Sequence, residues 1–229
     1  HAVSIARGPS PEGPFEPNPA NPILTARGTA RPVQNTGHGD LVETDAGTLM
    51  VLLGVRPRGL VRSFSALGRE TFCTPITWED GSPIAAPVEL NPRDGWDHTI
   101  RFDAPLDLGW IGIRQEPGLV SQVFEHKLCL IGRGTTMDHL TPVFVGRRVL
   151  HQSFALSVDL TVDGIGGLAI RYDEQTHYDI EVDTSGGQTY VTARAAIPSL
   201  RQEWVTAVPP GRITLSVRSV RPDAGFGLA

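Results

Sequence analysis

Cysteine is scarce in this chain: two in 229 residues, Cys73 and Cys129, with neither in a CxxC pair. That excludes a disulfide scaffold and any thiolate-rich zinc site. Lysine is nearly missing too, since Lys127 is the sole one among 20 basic residues, a bias we attribute to genome composition. Positive charge is in deficit overall. The formal net charge of −5 provides no basic field, so neither nucleic acid nor an anionic membrane surface is an expected partner. No apolar run approaches the roughly 20 residues a bilayer span requires. GxSxG, HExxH and P-loop motifs are all absent, which removes the familiar signatures of serine hydrolases, zinc proteases and nucleotide hydrolases. There is no initiator Met. The chain opens at His1 in strand-like HAVSIARG and stops in strand-like AGFGLA, so both ends read as cut and the compartment is left open.

Turn residues, by contrast, are plentiful. The 25 glycines and 19 prolines suit many short strands joined by tight turns. With 40% apolar and 20% charged residues the composition is globular, and the length allows one or two domains. Residues 1–90 read as short strands and loops. Prolines between Pro9 and Pro22 forbid a lasting helix there. TLMVLLGV (48–55) is a near-continuous apolar run fit for a strand buried on both faces, and turns are expected at Asp45-Ala46-Gly47 and Glu79-Asp80-Gly81. A linker is expected within residues 82–98. Beyond it, period-2 alternation (Phe154, Leu156, Val158, Leu160 and Val162; Leu168, Ile170 and Tyr172; Ile213, Leu215 and Val217) indicates an antiparallel sandwich.

Several clusters invite a chemical reading. GIGGLA (164–169) echoes a dinucleotide-binding fingerprint, but the residues after it alternate as a strand where that motif needs a helix, so a hairpin turn is expected. Asp179, Glu181 and Asp183 share one side of a strand and could hold calcium, although a solvated outer face explains them without an ion. His38, between two glycines in TGHGD, reads from the residues alone as a hydrogen-bonded structural histidine rather than a ligand. Arg69 and Glu70 put charge into an otherwise apolar strand. They are either a structural ion pair or a cavity-facing arginine whose fork of donors binds hydroxyl or carboxylate groups.

NPILTAR (21–27), QNTGHGDLVET (34–44), MVLLGVRP (50–57) and LGRETF (67–72), in this order, resemble the later blades of glycoside hydrolase family 43, in its β-xylosidase and α-L-arabinofuranosidase branch. FVGRRVLHQSFALSVDL (144–160) resembles the β-sandwich that follows the propeller in such members. The resemblance implies an all-β chain: residues 1–92 as the C-terminal part of a five-bladed β-propeller, and residues 93–229 as a concanavalin-like antiparallel β-sandwich. A blade has four strands, so residues 1–92 would supply only about one and a half blades. It implies exo-acting, inverting hydrolysis of xylosidic or arabinosidic ends, with one carboxylic acid protonating the leaving oxygen and a carboxylate activating water.

The family's three acids lie upstream of the matched segment, so no catalytic residue is assigned in this chain. Asp40, Glu43 and Glu70 do not match them. Two residues do correspond: Arg69 as the arginine at the bottom of the sugar pocket, and His38 as the histidine near the propeller axis that supports a metal ion, calcium by resemblance. Expected partners are a xylo- or arabino-oligosaccharide and either the missing propeller portion or another copy of the chain. The competing reading is a non-catalytic carbohydrate-binding module. Trp96, Trp110, Tyr172, Tyr178 and Trp204 would be its candidate stacking platforms, most of them expected in the core.

Overall fold

A computed structural model describes residues 1–57, 65–90 and 97–219. Among them there is no α-helix, and Pro117–Leu119 form a single 3-10 turn. Two compact units emerge. One starts at His1 and includes Leu150–Gln152; the other comprises Asp97–Val149 and Ser153–Ser219. The expected boundary at residues 92 and 93 lies outside the described residues.

In the first unit, β1 (Ala6–Arg7) and β2 (Glu16–Pro17) pair briefly across the proline-rich stretch. The ladder is too short to hold itself, and Asn21 extends it. Its side-chain amide donates to Ile5 O at 2.7 Å while its carbonyl oxygen accepts from Ile5 N at 2.9 Å. Next comes an antiparallel meander of β3 (Gln34–Thr44), β4 (Gly47–Val55), β5 (Glu70–Glu79) and β6 (Ser82–Ala85), paired in chain order.

Both expected turns are present. Thr44 Oγ1 closes the first by donating to Gly47 O at 2.7 Å. Asp80 (φ 47°) and Gly81 (φ 69°) form the second, the left-handed pair that matches strand twist in a two-residue hairpin. β4 is buried on one face only, whereas its apolar run implied burial on both: Leu49, Val51 and Leu53 on the other face are half-buried. Met50 and Leu52 are fully buried and pack with Leu24, Val33, Ile76 and Val88. Each such side chain contributes about 1.5–3 kcal/mol of hydrophobic stabilisation.

The second unit contains a hairpin of β7 (Ser121–Phe124) and β8 (Lys127–Leu130). β9 (Phe154–Leu160) starts the second part of the unit, and after it β10 (Ile165–Arg171), β11 (His177–Asp183), β12 (Thr189–Ile197) and β13 (Leu200–Val208) form a four-stranded antiparallel sheet. The last strand, β14 (Ile213–Ser219), returns to pair with β9. Two expectations are corrected here. GIGGLA is not a hairpin turn, because β9 and β10 belong to different sheets and Gly166 and Gly167 sit inside β10. Tyr172 falls just beyond β10 and is exposed, not on the strand's inner face.

Candidate functional site

His38 lies in β3 where the pairing with β4 is irregular, with register shifts on both sides of Gly37. Its φ of 54° is left-handed, an unusual setting for a non-glycine residue that marks local strain. The flanking glycines have separate reasons. A Cβ on Gly37 would approach the Ala2 backbone to 3.3 Å, and one on Gly39 would come within 2.7 Å of Met50 Sδ. His38 is exposed and makes no hydrogen bond or ion pair among the described residues.

Arg69 immediately precedes β5, after a turn in which Gly68 (φ 71°) donates its N–H to Ser65 O at 3.0 Å. It is exposed and unpaired among the described residues. Glu70 does not pair with Arg69. It pairs with Arg56, whose Nη2 donates to Oε1 at 2.7 Å and whose Nε donates to Oε2 at 2.9 Å. The hydrogen bond and charge of Glu70 raise the Arg56 pKa against the opposing effect of burial. Hence the charged pair is structural but has a different cation, and Arg69 remains uncommitted. His38, on β3, and Arg69, in the bend just before β5, lie on either side of β4 toward the same end of one sheet, β3 and β5 being the strands that flank β4. Two strand spacings, roughly 10 Å, separate those strands.

This arrangement offers a permanently charged five-donor fork and an imidazole, groups that bind hydroxyls and support a neighbouring ligand. It does not supply an acid–base pair. Glu70 is occupied by Arg56, and both oxygens of Glu43 accept from Thr48 Oγ1 at 2.9 and 3.0 Å. Among the described residues, no group of three or more His, Cys, Asp or Glu side chains that could hold a metal ion converges. A nearby cavity of about 190 Å³ is lined by His1, Arg27, Gly28, Gln34 and Asn35, without His38 or Arg69.

Of the three carboxylates of β11, Asp179 and Glu181 are not on a solvated face, whereas the Asp183 carboxylate is open to solvent. Asp179 is buried, accepts from Arg194 Nη1 at 2.5 Å and lies 2.6 Å from His177 Nδ1. Arg194 also donates to Glu181 at 3.3 Å and Glu203 at 2.7 Å. On the far side of His177, Nε2 lies 3.2 Å from Asp138, which is clasped by both terminal nitrogens of Arg201. The Arg201 hydrogen bonds lower the Asp138 pKa to about 2, against partial desolvation and with help from His177. Burial disfavours the charge on Arg194, but its carboxylate partners outweigh that and raise its pKa. Asp183 instead caps its own turn by accepting from Ser185 N at 2.8 Å. Alternation identified the shared side correctly but carried no signal for the cations across the sheet.

Most of the described candidate stacking aromatics are not core. Tyr172 (78%), Tyr178 (53%) and Trp204 (58%) are exposed. Strand register places Tyr178 and Trp204 on the face opposite the charged network. Trp110 is half-buried, held between Phe102 (centroids 5.6 Å apart) and the Arg147 guanidinium at 4.9 Å. Trp96 lies outside the described residues.

Comparison with known proteins divides the sequence in the same order. Residues 1–83 match the family described as glycosyl hydrolases family 43, and residues 100–225 match the β-xylosidase C-terminal concanavalin A-like domain. A non-reducing end α-L-arabinofuranosidase of Bacteroides ovatus is 32% identical over 86% of this chain and 41% of its own length. A xylan 1,3-β-xylosidase of a Vibrio species is 38% identical over 80% of this chain and 40% of its own length. The chain thus spans about two fifths of these curated relatives. Among solved structures, a GH43 protein of Bacillus licheniformis superposes with a TM-score of 0.80 at 23% identity, covering 96% of this chain and 47% of that one. A GH43_12 protein from a capybara gut metagenome gives 0.81 at 20% identity, covering 98% and 47%. The fold is accordingly part of a β-propeller followed by a concanavalin-like β-sandwich.

Proposed function

Because the chain belongs to glycosyl hydrolase family 43, with the β-xylosidase type of C-terminal domain, we propose that it is part of an exo-acting, inverting glycosidase that removes xylose or arabinose from the ends of plant-cell-wall oligosaccharides. Arg69 binds hydroxyls of the terminal sugar, and His38 supports the pocket beside it. The acid and the base come from residues other than those of this chain, in keeping with the structural commitments of Glu43 and Glu70. The observation that carries the reading is the pair of exposed groups, Arg69 and His38, without partners among the described residues and on either side of β4 toward one end of the sheet.

The test is hydrolysis of 4-nitrophenyl β-D-xyloside and α-L-arabinofuranoside by the enzyme containing this chain, with and without Arg69→Ala. Loss of a charge-assisted hydrogen bond to substrate should raise KM at least tenfold. Absence of turnover on both substrates, or an unchanged KM in the variant, overturns the reading. A second reading, a carbohydrate-binding module, draws on the exposed Tyr178 and Trp204. Xylan binding by this chain that is lost in Trp204→Ala would favour it.

A further inference from the structure

Arg69 lies between two fixed points of the backbone. Upstream, the Ser65–Gly68 turn is closed by Gly68 N donating to Ser65 O at 3.0 Å and Leu67 N donating to Ser65 Oγ at 3.3 Å. Downstream, Glu70 opens β5 with its carboxylate in the fork of Arg56, at 24% and 25% side-chain exposure for Arg56 and Glu70. Glu70 is opposite Gly54 in the β4–β5 register, and Arg56 is two residues further on, so the ion pair crosses the strands diagonally. Arg56 is itself clamped: its Nη2 donates to Leu150 O at 2.8 Å, and its carbonyl oxygen accepts from Gln152 Nε2 at 2.7 Å. Those partners lie 94 and 96 residues away in sequence yet belong to the same compact unit.

We propose that Glu70 is a positioning residue for Arg69: its commitment to Arg56 fixes the start of β5 and leaves the neighbouring guanidinium uncompensated, free to bind a sugar hydroxyl. The inference rests on the reading of Arg69 as the sugar-binding group. Arg69 sits in the bend just before β5, and the intact Arg56–Glu70 pair holds the carboxylate on Arg56 instead of on Arg69. A Glu70 carboxylate released from Arg56 would be an unpaired anion next in sequence to an unpaired cation. An arginine drawn into that pair presents fewer donors to a ligand.

Kinetic constants for the enzyme containing this chain, on the two nitrophenyl glycosides, test the proposal through Glu70→Gln, Arg56→Lys and Arg69→Ala. Glu70→Gln keeps the shape but removes the charge, and Arg56→Lys keeps the charge but removes the fork. Both should raise KM about tenfold, the scale of one charge-assisted hydrogen bond, while kcat stays within about threefold. A purely structural role would lower the folded fraction, and with it kcat, leaving KM unmoved. If Arg69→Ala raises KM while Glu70→Gln and Arg56→Lys do not, the positioning role is wrong and the sugar-binding role of Arg69 stands. An Arg69→Ala enzyme with unchanged KM overturns both. Should Glu70→Gln fail to fold, Arg56→Lys decides by the same criterion.

Discussion

Gly167→Ala should disrupt the β10–β11 pairing although it adds a single methyl group. An ideal Cβ at residue 167 would lie 2.0 Å from Ile180 O and 2.9 Å from Glu181 Cα. Ordinary carbon–oxygen contact is roughly 3.3 Å, so β10 must retreat by about 1 Å from a strand whose backbone cannot rotate aside. Overpacking of this kind costs about 1–3 kcal/mol, and each stretched ladder hydrogen bond adds about 1. The expected loss is therefore about 3 kcal/mol. Its neighbour supplies the control. A Cβ on Gly166 would meet nothing nearer than Val162 Cγ1 at 3.7 Å, an ordinary contact. Gly166→Ala should instead stabilise by about 0.4–1 kcal/mol through the unfolded chain. At roughly 2–4 °C per kcal/mol for a domain of this size, Gly167→Ala should lower the melting temperature by about 6–12 °C. Circular dichroism during thermal and urea unfolding measures both. Equal midpoints for the two variants would refute the close-approach argument, and with it the placement of these glycines in a strand.

The charged network on the same sheet gives two further expectations. Asp179→Asn breaks a pair whose carboxylate is 2% exposed and should cost about 3 kcal/mol in urea unfolding, because Arg194 keeps a desolvated charge. Glu203→Gln removes a carboxylate that is 45% exposed and should cost under about 1 kcal/mol. Asp138 has a folded pKa of about 2, below its usual value, so its stabilising contribution is present above about pH 4 and disappears as pH falls through 2. Melting temperature followed from pH 5 to 2 should therefore fall less steeply in Asp138→Asn than in the parent.

Local chemistry made part of the fold legible. Asp80-Gly81 reads as a turn because both residues tolerate the left-handed region, and β4 reads as a strand from its apolar run, although only its Met50–Leu52 face is buried and Leu49, Val51 and Leu53 are half-buried. The β7–β8 hairpin carries no such signal. Its turn uses Glu125 (φ 48°) and His126 (φ 58°), residues that do not announce a positive φ. The pairing of β9 with β14 was hidden for a different reason. Alternation shows that each strand has an inner side, but strand order depends on which chain segments meet, and Asp159 faces Thr214 across 55 residues.

The same distinction governs the candidate site. Period-2 patterning placed Asp179, Glu181 and Asp183 on one side of β11, yet whether that side is wet depends on Arg194 one strand away and on Asp138 in a distant loop. Arg69 poses the inverse problem. A cation exposed and unpaired among the described residues leaves no periodic trace, so residue chemistry alone took a structural ion pair as the default and a cavity-facing role as the alternative. The geometry narrows that choice by giving Glu70 to Arg56, which is bound in turn by Leu150 and Gln152 from far along the chain. A contact of that span cannot be read from a local motif such as GRET. The surroundings of Arg69 are thus set by strand register and by hydrogen bonds from distant residues, and the proposal that Glu70 positions Arg69 expects substitutions at Arg56 to be felt there.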